Sequence, residues 1–354
     1  MYRSLVAMLI LLPGLTAAAA PLPKAGTAAP SARPLLRQET QEDVKAKLAK
    51  ARELFNNFDH DQAIKLLTEV AASDASKEDK KECYILLGRA YFAKDMMDKA
   101  RWALGNLAEL SPPRIELDPD EVPPQFVKLY YTVWKEKSGS SAMERPDPGI
   151  QTLAILDFRN RLFGKGSKEY DGLQQGFSDL MINQLNGVVN LKLVERERIA
   201  WILEEIGLAG DPNKIDQASA VRAGKLLGVQ MILFGSYVGT TDKMKLTARL
   251  VKVETAEIIG TEEVPGEMDD FFTLAEKLSA RVAKKINVKA SEADFKGRTP
   301  TRSTDAWIAY SDGVALYDKG DYKGAFEKFQ EAVRMDPDFD KAKKRLDSLK
   351  PLLG

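Results

Sequence analysis

The sequence predicts a central α/β domain, a mixed sheet with packed helices, flanked on both sides by all-α helical hairpins. Three observations carry this expectation. Between Gln151 and about Val288, short apolar runs alternate with stretches whose apolar residues recur every three or four positions. Before and after that segment the three-and-four spacing continues without strand patterns. Ser138–Gly149, with Ser-Gly-Ser-Ser and two prolines, and Lys289–Ser303, which mixes charge with Gly297 and Pro300, separate these regions as linkers.

In chain order, Tyr2-Arg3, the apolar run Leu5 to Leu15 and Ala17–Ala20 read as a secretory signal over residues 1–20, cleaved after Ala19 or Ala20. That run is short for a membrane span, so no integral membrane segment is expected after cleavage. Residues 21–37 are rich in Pro, Ala and Gly and read as a flexible arm. A helical domain is expected over 38–137, a linker over 138–149, the α/β domain over 150–288, a second linker over 289–303 and a helical unit over 304–354.

Within the α/β segment, Leu153–Phe158 is an apolar run suited to a buried strand. After a Gly-rich loop, Leu173, Phe177, Leu180, Met181 and Leu185 form one helical face. Leu191–Val194 reads as a strand running into a helix from Arg196, whose stripe is Ile199, Ile202, Leu203 and Ile206, with Gly207 as its stop. A helix near Ile215–Leu227 precedes the strand Met231–Tyr237. Met244, Leu246, Ala248 and Leu250 alternate with Lys243, Lys245, Thr247 and Arg249, the period of a strand with one wet face. A turn at Glu254–Glu257, a strand at Ile258–Val264 and a helix bearing Phe271, Ala275, Leu278, Val282 and Ile286 complete the segment.

The marks in this order resemble the curli-assembly transport component (CsgG) family, and more loosely the periplasmic activators of penicillin-binding proteins. They are Leu153–Phe158, Leu193-Val194-Glu195-Arg196 with Ile202–Glu205, Ala223–Val229 running into Ile232–Ser236, and Leu250–Ile258, together spanning a little over a third of the chain. Secretion-channel members carry membrane-spanning strand insertions at places matching the segments after Gly239 and Val264. A barrel strand needs about 9–11 residues, whereas only Thr240–Asp242 and Pro265–Glu267 are available here. Those members are also lipoproteins, and the sole cysteine here is Cys83, inside a helical pattern. Pore formation and lipid anchoring are therefore not carried over.

The flanks resemble tetratricopeptide (TPR) repeats. Tyr84, Leu87, Gly88, Tyr91, Ala100 and Pro112 fall at that repeat's spacings, with a less faithful unit before them at Ala51, Leu54, Ala63, Leu67 and Val70. Gly313, Gly320, Tyr322, Ala325, Phe329, Ala332 and Pro337 repeat the pattern, followed by a capping helix at Phe339–Leu349. One repeat cannot bury its own apolar face. The C-terminal unit is thus expected on its cap, the central domain, the N-terminal pair or another subunit. Phe126, Leu129, Tyr130 and Trp134 lie on a helix that caps the N-terminal repeats or forms a partner groove. The candidate protein-binding residues are Tyr84, Tyr91, Tyr130, Trp134, Trp307 and Tyr310.

Lysine plus arginine and aspartate plus glutamate both number 52, which gives no basic field for nucleic acid. His60 is the only histidine, so a histidine-based metal cluster or triad cannot form within one chain. Gly164-Lys165-Gly166-Ser167 lacks phosphate-loop spacing, although Lys165, Lys168, Arg159 and Arg161 form a basic rim. Glu195-Arg196 reads as a capping or ion-pair contact that fixes a helix angle. No catalytic, cofactor-binding or metal site is expected, and no cofactor.

The resemblances imply a non-enzymatic periplasmic adaptor or assembly protein of a cell-envelope complex, outer-membrane or secretory. Its partners would be envelope proteins held by the repeats, with homo-oligomers forming through the CsgG-like domain. Two alternatives stay open: a regulator of a cell-wall synthase, and a soluble ring subunit of an export system.

Overall fold

The computed structural model describes residues 40–111, 115, 117–118, 120–140, 149–208 and 212–353. The expected signal (1–20) and arm (21–37) lie outside these, as do residues 141–148 of the expected linker.

The chain begins with helices α1 (Gln41–Asn56), α2 (His60–Ala72), α3 (Lys77–Ala93), α4 (Met97–Glu109) and α5 (Pro124–Ser138). All but α4 start where the sequence can satisfy or dispense with a first-turn N–H. Thr40 and Asp43 form a capping box, Asp59 and Ser76 cap α2 and α3, and α5 opens with a proline. Val44, Leu48, Ala51 and Phe55 share one buried face of α1 and join the inner residues of α2–α5 in a common core. The small size of Gly88 lets α3 meet α5: a Cβ there would lie 3.1 Å from Cζ of Phe126. Cys83 is buried in this core, where its Sγ donates to the Leu67 carbonyl and burial pushes the thiol up to about 12.

The sheet domain follows as β1 (Gln151–Ile155), β2 (Arg159–Leu162), α6 (Leu173–Leu185), β3 (Leu191–Leu193), α7 (Arg196–Glu205), α8 (Gln217–Leu227), β4 (Met231–Gly239), β5 (Lys243–Lys252), β6 (Ile258–Glu267) and α9 (Phe271–Lys285). The strand order is β3-β1-β4-β5-β6; β1 runs parallel to β3 and β4, and β4-β5-β6 are antiparallel. The segment read as a Gly-rich loop after the first strand in fact begins with β2, which pairs in parallel with β4 beyond the end of β1. Its residues are too polar to show the alternation of a half-buried strand. Thr240–Asp242 make a tight hairpin between β4 and β5, and β6 reaches α9 through a single turn at Met268–Asp270. Helices α6 and α9 cover one face of the sheet, and α7 and α8 cover the other.

The segment after α9 is not wholly a linker, since α10 (Glu292–Phe295) forms there with a capping box at Ser291 and packs on α9 with Phe295 buried. Helices α11 (Thr304–Asp318), α12 (Tyr322–Met335) and α13 (Asp340–Leu353) end the chain. The turn α11–α12 copies the turns α1–α2 and α3–α4. In each, a residue of positive φ (Phe58, Asp95, Gly320) follows the first helix. The next N–H, from Asp59, Met96 or Asp321, bonds back to the carbonyl of Leu54, Tyr91 or Leu316. Small residues match too: Ala51, Gly88 and Gly313 three positions before those carbonyls, and Ala63, Ala100 and Ala325 on the second helix. This shared geometry makes the C-terminal hairpin a third copy of the same unit.

Of the placements expected for the C-terminal unit, its own cap and the central domain are both used. Helix α13 packs on α12, and α11 packs on α6 so closely that Gly172 and Gly176 have no room for a side chain. A Cβ on Gly176 would lie 2.2 Å from Ser311 Oγ, and one on Gly172 2.7 Å from the Asp312 nitrogen. Trp307, Tyr310, Phe329 and Phe339 thereby merge with Phe177 and Phe271 in one core.

Candidate protein-interaction site

Three separate stretches of chain meet where β1 and β3 end, and they meet through buried charge. Arg196, the first residue of α7, makes a two-pronged pair with Asp318 at the end of α11, both contacts at 2.7 Å. The next residue, Glu197, accepts from Arg345 of α13 at 2.8 Å. Arg345 is also ion-paired at 2.7 Å, without hydrogen-bond alignment, to Asp120 in the segment before α5. Lys341 of α13 donates to Asp179 of α6 at 2.6 Å, and the Tyr310 hydroxyl donates to the other oxygen of that carboxylate at 2.9 Å. Tyr317 donates to the Val122 carbonyl, so all three regions share the junction.

Burial alone would raise the carboxyl of Asp179, but Lys341 and Arg345 beside it outweigh that and hold it below the usual range. Asp157 differs. Ser178 donates to it at 2.7 Å, but its nearest cation, Arg196, stands 4.0 Å away and is already committed to Asp318. Burial pushes the Asp157 carboxyl up to about 6, Arg196 opposes the rise, and the Asp318 charge adds to it.

Asp157 sits in a cleft of about 450 Å³ walled by α5, α7 and the α11–α12 turn. Trp201, Tyr317 and Tyr322 give it aromatic sides, and Lys128, Glu197, Glu204, Asp318 and Lys319 carry its charge. A larger open depression of about 1110 Å³ lies at the other end of the sheet, around Gln151, Gly228 and Lys285. It lacks the buried ion pairs of the junction. Among the described residues, no group of three or more His, Cys, Asp or Glu could hold a metal ion, and no helix is long and apolar enough to cross a membrane.

The structure places the six aromatic residues singled out in the sequence in two groups. Tyr84, Tyr91, Tyr130 and Trp134 belong to the N-terminal repeat region. Tyr84 and Tyr91 keep 8 % of their surface, Trp134 is half-buried, and Tyr130 is fully buried. Trp307 and Tyr310 are fully buried, packed on Phe339 and, in the case of Trp307, on Phe272 of α9. They join the C-terminal hairpin to the sheet domain. Trp102, with half its surface exposed and its ring edge-on to Tyr84, was not singled out. At the Glu195-Arg196 mark, Arg196 provides an ion pair, reaching across to Asp318 of α11. Glu204 and Glu205 are surface partners of Lys128 and Lys135, and Arg159 of the basic rim donates to the Pro212 carbonyl.

Residues 143–240 match the family model of the curli production assembly/transport component CsgG, and residues 48–115 match that of a tetratricopeptide repeat. The chain thus joins a CsgG-type domain to TPR repeats, a combination that marks a protein-interaction role. No curated protein matches the chain. Among solved structures, the LpoB C-terminal domain from Escherichia coli is similar at 18% identity, over 42% of this chain and 98% of that one, with a TM-score of 0.28. The corresponding domain from Salmonella enterica is similar at 20% identity, over 34% and 86%, with a TM-score of 0.27. TolB from Acinetobacter baumannii is similar at 13% identity, over 39% and 28%, with a TM-score of 0.26.

Proposed function

We propose that this protein is a non-enzymatic periplasmic adaptor that holds partner proteins of a cell-envelope assembly through its repeats and its CsgG-type domain. The observation that carries the reading is the junction itself, where buried ion pairs and glycine-mediated helix contacts fix the C-terminal unit on the sheet domain and Arg345 ties the segment before α5 to it. A scaffold needs that rigidity to present two binding faces at one spacing, and TPR stacks offer their faces to protein segments. Exposed Trp102, half-buried Trp134 and the rims of Tyr84 and Tyr91 form the part of the N-terminal repeat surface that we assign to partner contact.

The test is crosslinking in cells followed by mass spectrometry of what is captured, with the mass of the purified protein measured alongside. Recovery of an outer-membrane or secretion component is the expected result. Capture of a cell-wall synthase alone would move the assignment to a synthase regulator, and self-crosslinks with a ring-sized mass would move it to an export ring. Failure to recover any envelope partner would overturn the adaptor reading.

A further inference from the structure

The cleft beside Asp157 occupies a distinctive place in the sheet. Adjacent parallel strands β1 and β3 send their chains to opposite faces, β1 to α6 and β3 to α7. The crevice outside their carboxyl ends is therefore a topological switch point, where open α/β sheets bind ligands. Here the C-terminal hairpin roofs part of that crevice but leaves about 450 Å³ open. Two polar atoms on its walls, Gln125 Oε1 and the Tyr322 hydroxyl, are buried without a hydrogen-bond partner. Leaving such groups unpaired is unfavourable, so an occupant that pairs them is favoured.

We propose that this cleft binds the lysine or arginine side chain of a partner protein's segment, its cation directed at Asp157 and its aliphatic stem along Trp201. The inference rests on the adaptor reading and names the chemistry by which one partner would be held. Charge decides the occupant. Around Asp157 stand Ser178 and Gln175 from α6, Arg196 and Glu197 from α7, and Asp318 from α11, while Lys128 of α5, Glu204 of α7 and Lys319 after α11 also line the cleft. Arg196 is spent on Asp318, Glu197 on Arg345 and Lys128 on Glu204. Lys319 also lines the cleft but is exposed to solvent, whereas the Asp157 carboxylate faces it with a hydrogen bond from Ser178 at 2.7 Å and no cation closer than Arg196 at 4.0 Å, so its charge is left only partly compensated. A further anion would meet Asp157 and Asp318 together, whereas a cation neutralises the first and offers donors to Gln125 and Tyr322. The stem of a long basic side chain packs well on an aromatic face while its head stays polar.

The test uses the full exported chain with its tryptophans labelled with ¹⁵N, which gives four indole signals, and follows Trp201. The probes are Nα-acetyl-lysine amide, Nα-acetyl-arginine amide and uncharged Nα-acetyl-norleucine amide. Saturable shifts of the Trp201 signal by the two cations alone are expected. Affinity should fall about tenfold from near pH 7.5 to near pH 5, as the carboxylate takes up a proton. Asp157→Asn should remove both the cation preference and the pH dependence. Ala200→Phe, which fills the cleft from the α7 wall and leaves Asp157 itself unchanged, should abolish the shifts and decides the matter if Asp157→Asn does not fold. Equal shifts by lysine and norleucine probes, or cation binding that survives Ala200→Phe, would overturn the proposal. A silent titration beside a partner captured in cells would overturn it and leave the adaptor reading standing.

Discussion

The N-terminal and C-terminal repeats use the same turn and the same small residues, yet they are stabilised in different ways. The N-terminal pair carries its own core, closed at its end by α5 with Phe126 set on Gly88. It meets the sheet domain across α5 and α7, through Tyr131 against Trp201 and the surface pairs Lys128–Glu204 and Lys135–Glu205. The C-terminal hairpin has only α13 to cap it, and its Trp307, Tyr310 and Tyr317 are buried in the core beneath the sheet. A repeat's independence is set by what closes its open face, because the motif is the same in both places. One copy stacks on its neighbours; the other has become part of the sheet domain.

Removing Arg345 should break this arrangement most severely. The Arg345→Met variant keeps the aliphatic stem but leaves Glu197 and Asp120 with only the longer contacts to Arg196 at 3.9 Å and Lys341 at 4.0 Å, in a junction where Arg345 keeps 2 % of its surface. A buried pair that loses one partner costs about 3–5 kcal/mol. Urea unfolding should show a loss of that size; a loss below about 1 kcal/mol would mean that the junction does not fasten the C-terminal hairpin. Gly176→Ala comes next. Its Cβ would lie 2.2 Å from Ser311 Oγ and 2.9 Å from Ser311 Cβ, so α6 and α11 must separate, at about 1–3 kcal/mol. Gly88→Ala is the matched control, since its nearest contact is 3.1 Å to the edge of a ring that can shift. If Gly88→Ala proves the more damaging of the two, the contrast between the two repeats fails.

The parts of this comparison legible in the sequence are those that repeat with a period. Met244, Leu246, Ala248 and Leu250 alternate along β5 and are buried on one side, and Gly313 and Ala325 mark the C-terminal hairpin as clearly as Gly88 and Ala100 mark its N-terminal counterpart. The junction has no period. Asp120, Asp157, Asp179, Arg196, Asp318, Lys341 and Arg345 come from distant segments, and each looks like an ordinary surface charge until the fold brings them together. Glu195-Arg196 was the visible edge of the site, recognisable as a mark but not for its partner on α11. Gly172 and Gly176 give the same lesson: a four-residue spacing of glycines on a helix admits a close approach without saying to what.

Asp157 and Asp179 titrate in opposite senses. Asp179 is held below the usual carboxyl range, so the stability it contributes is present above the unfolded-state pKa and is lost as pH falls through the folded value. The folded-state pKa of Asp157 is raised to about 6, so its contribution is fully present below the unfolded-state value near 4 and is lost as pH rises through 6. Asp157→Asn should therefore stabilise the protein by about 1–2 kcal/mol above pH 6, with no gain below pH 4. Thermal unfolding across that range checks it, and a gain independent of pH would show that the buried carboxylate is not its source.

The smallest effect is expected at the other joint. Lys128 and Lys135 reach from α5 to Glu204 and Glu205 of α7 with substantial parts of all four side chains in water. Exposed pairs of this kind contribute about 0–1 kcal/mol and weaken further as salt screens them. The double change Lys128→Ala, Lys135→Ala should leave the unfolding midpoint nearly unchanged, while hydrogen exchange in α1–α4 stays as slow as in the parent, since it leaves their apolar core and its contact with Trp201 in place. A loss comparable with that of Arg345→Met would show that the N-terminal repeats, too, depend on the sheet domain, and the difference between the two ends of the chain would then lie only in how much of each contact is buried.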